Sequence, residues 1–204
     1  MNYRIGILTA CLACCLACTA ACEAEDPAEV AGRTLDQYVE MLDSPDRVVR
    51  LRAARSLAPF GKAAGDALTS SLDHEDAAMR YVAAESLGRI GGTPLELAVG
   101  RLCELAEDET SHAVRMAASF ALCRNGLNRD HLPFLIESLD YPERGISCTA
   151  AYLIGEVGPS AKQAVPALNK TYEKNGTGVK GGDYHLGGSA LNALRKLGHT
   201  PEGK

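Results

Sequence analysis

"MRYVAAESLGRIG", Met79–Gly91, is the stretch on which the fold turns. Met79, Ala83, Leu87 and Ile90 recur at steps of four, four and three, the spacing of one apolar face of an α-helix. Gly91 closes the run with the residue that most readily takes the left-handed conformation at a helix C-terminus. The same pattern returns without gaps in "VRLRAARSLAPFG" (Val49–Gly61), "VRMAASFALCRNG" (Val114–Gly126), "ISCTAAYLIGEVG" (Ile146–Gly158) and "LGGSALNALRKLG" (Leu186–Gly198). The last apolar anchors, Leu57, Leu87, Leu122, Ile154 and Leu194, are 30, 35, 32 and 40 residues apart. That interval suits stacked helical hairpins, each burying its apolar stripe only against its neighbours.

Upstream of each block the echo continues. Asp43, Asp73, Asp108 and Asp140 lie six residues before it, and Asp46, Asp76, Ser111, Glu143 and Asp183 lie three before it. An acidic or hydroxyl side chain there can accept from the free amides of the following helix and complement its dipole. A further helix precedes each turn, over roughly 34–42, 62–72, 95–107, 129–139 and 160–174. The unit is helix, turn, capped helix, glycine, five times over.

This pattern resembles the HEAT-repeat family, and in particular the short HEAT-like repeats of phycobilisome lyases, over Thr34–Gly198. Copy four departs at Ser147, where the earlier copies carry Arg, and copy five departs with Gly187 and Gly188 early in its helix. The resemblance implies an all-α, right-handed α-solenoid of about five hairpins, with the second helix of each lining the concave side. Its implied work is recognition of a protein or peptide partner.

In the second helices, Val49, Ala53, Leu57 and Phe60 are matched by Met79, Ala83, Leu87 and Ile90, and by Ile146, Ala150, Ile154 and Val157. That face is core. Two residues on, about 200° round the helix at ideal pitch, stand Leu51, Tyr81, Met116 and Cys148, then Arg55, Glu85, Phe120 and Tyr152. Pro59, Arg89, Arg124, Glu156 and Lys196 follow. Aromatic and apolar side chains rimmed by Arg and Glu compose a protein-binding surface. Leu51, Arg55, Tyr81, Arg89, Met116, Phe120, Arg124 and Tyr152 are therefore the candidate partner-binding residues. Tight curvature would instead bury this stripe against neighbouring second helices, so groove and core both stay open.

The N-terminus decides the compartment. "CLACCLACTAAC", Cys11–Cys22, follows "MNYRIGILTA": one Arg, an apolar run, then small residues, the order of an export signal. "TAAC" resembles a bacterial lipobox, with Thr19 where that motif usually has Leu. Residues 1–21 are read as a lipoprotein signal, Cys22 as the lipidated residue, 22–32 as a flexible acidic tether, 33–199 as the repeat domain and 200–204 as a disordered tail. Cleavage after Ala24 by the ordinary signal peptidase, and a thiolate metal cluster, are the alternatives. The cluster would lack the polar groups that orient metal ligands. The expected setting is the bacterial cell envelope, lipid-anchored and periplasm-facing.

A formal net charge of −5, aromatics at 5% and no Trp argue against a nucleic-acid partner. "GTGVKG", Gly176–Gly181, matches a dinucleotide fingerprint only in letters, since no strand precedes it. His74, His112 and His185 differ in repeat position, so they form no metal row and read as solvated or capping side chains. The di-iron hydroxylases of the HEAT-like group need His-Glu pairs where this chain has Leu-Arg, Tyr-Val, Met-Ala, Cys-Thr and Gly-Ser, at 51/52, 81/82, 116/117, 148/149 and 188/189. The reading is a non-catalytic, monomeric scaffold with no cofactor. A lyase-like subunit handling a bilin or other tetrapyrrole is the alternative that the resemblance leaves.

Overall fold

The structure, a computed structural model, describes residues 26–176 and 179–200. The expected export signal, the expected lipidation residue Cys22, residues 201–204 and part of the glycine-rich loop lie outside those residues. Among the described residues ten α-helices alternate as first and second members of five hairpins: α1 (Leu35–Leu42), α2 (Arg47–Leu57), α3 (Gly65–Ser71), α4 (Ala77–Ile90), α5 (Gly92–Asp108), α6 (His112–Arg124), α7 (Asn128–Glu137), α8 (Arg144–Val157), α9 (Val165–Asn175) and α10 (Tyr184–Lys196). The chain is an all-α solenoid.

Caps explain where the second helices begin. Asp46, Asp76 and Asp183 accept from the backbone N–H of Val48, Ala78 and His185 respectively. Ser111 and Glu143 occupy the equivalent N-cap positions but make no side-chain cap bond, contrary to expectation. Ser111 instead donates its own N–H to Glu109 Oε1 at 3.0 Å.

The repeat glycines all have positive φ, but they divide into two kinds. After α6 and α10 the chain ends in a Schellman turn: Leu127 N–H bonds Leu122 O and His199 N–H bonds Leu194 O. Gly61, Gly91 and Gly158 pair positive φ with ψ of −130°, −162° and −152°, the mirror image of extended backbone rather than the left-handed helix. In copies one and four the chain then runs through a 3₁₀ segment, Ala58–Ala64 and Gly158–Ala164, each opened by a proline. The first helices expected from 62 and 160 therefore start later, at Gly65 and Val165.

The acidic tether is corrected over residues 26–32. Strands β1 (Glu29–Val30) and β2 (Arg33–Thr34) form an antiparallel hairpin. Its two central residues, Ala31 and Gly32, have φ of 49° and 75°, as a type I′ turn requires. The hairpin packs on the first repeat: Tyr38 OH donates to Val30 O at 2.9 Å, and Lys62 N–H donates to the Asp26 carboxylate at 3.2 Å.

The second helices form one continuous row, α2 on α4, α4 on α6, α6 on α8 and α8 on α10, while the first helices lean mainly on that row. Arg89 on α4 reaches Glu156 on α8 at 3.3 Å across the copy between them, which puts this row on the inside of the curve. Ala53, Leu57, Phe60, Met79, Ala83, Leu87, Ala150, Ile154 and Val157 are buried as expected, with Val49, Ile90 and Ile146 half-buried. Glycine sets the closest approaches. A Cβ on Gly88 would stand 2.7 Å from the Phe120 ring and 2.9 Å from Ala121 Cα; one on Gly155 would stand 3.0 Å from Ala193 Cα. Helix α6 packs on α4, α5, α7 and α8, and nine of its thirteen residues are buried.

Candidate functional site

The concave row divides by copy. In copies one and two, Leu51 and Tyr81 are half-buried beside Ala54, Met79 and Val82. Burial pushes the Tyr81 phenol up to about 12, and Glu85 adds to this against the opposing charges of Arg89 and Arg55. Tyr81 therefore keeps its proton and offers a neutral hydroxyl. Arg55 is exposed on the same helix face.

Copy three is corrected. Met116 and Phe120 are 0% and 1% exposed and belong to the core formed with α7, α8 and α10, so neither can touch a partner. The cause is the Gly88 approach, which seats α4 directly on the Phe120 ring. Arg124, one turn on, stays exposed and donates from Nε to Gly88 O at 3.3 Å.

Copies two, four and five then meet over the top of copy three. Arg89 on α4 bonds Glu85 one turn back at 3.1 Å and reaches Glu156 on α8 at 3.3 Å. Glu156 also takes the Lys196 ammonium from α10. The Tyr152 ring lies among these charges, with the Arg89 guanidinium and the Lys196 ammonium each 5.6 Å from its centroid. It remains 40% exposed. Beside it a small cleft is lined by Tyr152, Gly155, Ser189, Asn192, Ala193 and Lys196.

Of the eight candidates, then, Arg89 and Tyr152 are brought together, with Tyr81 joined to Arg89 through Glu85. Arg124 lies between them on α6 and Arg55 beyond them on α2, Leu51 packs inward, and Met116 and Phe120 are core. The floor of the cleft, Ser189 and Asn192, was missed by the sequence reading. Asn192 occupies in copy five the register of Tyr152 in copy four, and carrying that register one copy further would have named it.

The charged turn edge is structural. Arg80 makes a two-point bond with Glu109 at 2.8 and 3.0 Å, and Arg47 a similar one with Asp76 at 2.5 and 3.1 Å. Each ties one copy to the next. His74 accepts the Asp76 N–H at Nδ1, 2.9 Å away, and His185 is exposed. His112 is half-buried and packs against the rings of Phe134 and Tyr141, 4.8 and 4.2 Å away, with Nε2 2.9 Å from Ser138 Oγ. Burial, then Arg115, lowers its pKa. Among the described residues no three His, Cys, Asp or Glu side chains converge as a metal site, and no helix is long and apolar enough to cross a membrane.

Five stacked helical hairpins with an inner row of second helices define a helical-repeat protein. Residues 35–123, the first three copies, match the family model for HEAT repeats. Two solved structures of engineered proteins, both targets of the Northeast Structural Genomics Consortium, are similar to it. One is 21% identical with a TM-score of 0.49, covering 80% of this chain and 78% of that one. The other is 22% identical with a TM-score of 0.48, covering 80% and 81%. No curated protein sequence matches.

Proposed function

We propose that this protein is a non-catalytic scaffold that binds a protein or peptide segment on its concave face. In this reading Cys22 carries a lipid that holds the repeat domain at a bacterial membrane, facing the periplasm. HEAT repeats in general serve as protein-interaction scaffolds. One observation carries the assignment to this face: Tyr152 stays open to solvent at the inner curve, flanked by two cations and floored by a small cleft. A half-exposed aromatic beside a guanidinium is the kind of anchor that dominates protein interfaces.

Site-specific photo-crosslinking from position 152 in native cells tests it, with position 97 as the control. Leu97 is 76% exposed, on a first helix. A discrete protein adduct from 152 and none from 97 is expected. Equal labelling from both positions, or adducts with lipid alone, would sink the concave-face assignment. Metabolic labelling with a fatty-acid analogue tests the anchor separately, and Cys22→Ser should abolish incorporation.

A further inference from the structure

We infer that the partner segment is acidic and carries an apolar or aromatic residue next to its carboxylates; this rests on the concave-face reading above. The chain as a whole is acidic, at −5. Its inner row is not. Arg55, Arg89, Arg124 and Lys196 face Glu85 and Glu156 there, four positive groups against two negative. Both carboxylates are already engaged: Glu85 by Arg89, and Glu156 by Arg89 and Lys196.

The surplus therefore rests on Arg55 and Arg124, both exposed. Neither has a carboxylate partner among the described residues; Arg124 bonds only a backbone carbonyl, Gly88 O. Arg55 of copy one and Arg124 of copy three, with Glu85 and Arg89 of copy two between them, present forks that suit carboxylates. Beyond Arg124, in copies four and five, Tyr152 and the cleft formed with Ser189 and Asn192 offer an apolar seat. Positive charge on the inner row also repels basic competitors there, so it selects as well as attracts.

A polyphosphate backbone fits less well. Nucleic-acid binding draws on about 6–10 phosphate contacts, and this face has two cations without a carboxylate partner among the described residues, with Glu85 between them and Glu156 beyond. The carboxylates would stand against a phosphate chain, whereas a peptide can place its acids over copies one and three and an apolar side chain next to them over copies four and five.

The test uses the full chain and three short labelled peptides of the same length, alternating Phe with Glu, Gln or Lys, together with a single-stranded DNA oligonucleotide of similar length. Fluorescence anisotropy should rank the Glu peptide about tenfold tighter than the Gln peptide, and the Lys peptide weakest. Arg55→Glu, alone and with Arg124→Glu, should abolish that preference with an unchanged melting temperature, because both side chains are exposed. No preference for the Glu peptide, preference for the DNA, or indifference to the charge reversals overturns the acidic assignment. A crosslink from position 152 that survives both reversals overturns it too while leaving the scaffold reading intact; loss of every crosslink in the unmodified protein defeats the scaffold reading itself.

Discussion

Arg89 and Glu156 lie 67 residues apart in the chain and meet at 3.3 Å, one from copy two and one from copy four. Residues of alternate copies can meet only on the inside of a bend, above the copy between them. A double-mutant cycle with Arg89→Ala and Glu156→Ala should give a coupling of about 0.5–1 kcal/mol, since both groups are partly exposed. The coupling should shrink in high salt. A null result at low salt would mean that the bridge adds nothing to the curvature.

The inner row should separate into core and surface in urea melts. Met116→Ala removes a fully buried side chain and should cost about 2–5 kcal/mol. Tyr152→Ala, at a residue 40% exposed, should cost less than about 1 kcal/mol. Similar costs at both positions would contradict the burial difference on which the partner-binding assignment stands.

Two glycines should respond with opposite signs. Gly88→Ala drives a methyl into Phe120 and the Ala121 backbone, an overpacking worth about 1–3 kcal/mol of stability. Gly100 lies exposed within α5, where an added Cβ meets nothing within 4 Å. Gly100→Ala should stabilise by about 0.5–1 kcal/mol through helix propensity and a restricted unfolded chain. Thermal melts of the pair compare the two directly.

Acid should loosen the joint between copies one and two. The Arg47 hydrogen bond, helped by the Ala78 N–H and opposed by burial, holds the Asp76 carboxyl at about 2, below its ordinary 3.8. A depressed carboxylate stabilises the fold above the unfolded-state value and loses that contribution as pH falls through the folded one. The affected window is therefore about pH 4 down to 2. Asp76→Asn keeps a capping side chain but should flatten the stability–pH curve in that window.

Thiol reactivity should follow depth. Burial pushes Cys123 up to about 12, and also raises Cys103 and Cys148, which are half-buried. Iodoacetamide at neutral pH should spare Cys123 until the protein unfolds, read by mass spectrometry of the peptide containing it.

The repeat itself was legible because its signals are local. An acidic or hydroxyl residue three before an apolar stripe and a glycine at its end place the starts of all five second helices within two residues of where they lie. The hairpin over 29–34 was readable in principle: Thr34 and Gln37 form a capping box that marks the start of α1, and Val30-Ala31-Gly32-Arg33 has the makings of a tight turn. It was absorbed into the tether because strands of two residues leave no periodicity. The fate of Met116 and Phe120 depends on something less local. They share a register with Tyr81 and Tyr152, and only the distance to the neighbouring helix separates core from surface. That distance is set by Gly88, in another copy at another register. The one local hint was α6 itself, whose "VRMAASFALC" is apolar on nearly every side and so reads as a fully enclosed helix.

Gly88 and Gly155 occupy the same register position in copies two and four, nine residues after the start of their blocks, where copies one, three and five carry Ala58, Cys123 and Arg195. The volume of that single side chain governs how near each helix comes to the next, so the arc is written in residue size rather than in contacts. Descendants of this sequence could widen or narrow their mouth, and so change the girth of what they hold, while every residue on the inner wall stayed the same.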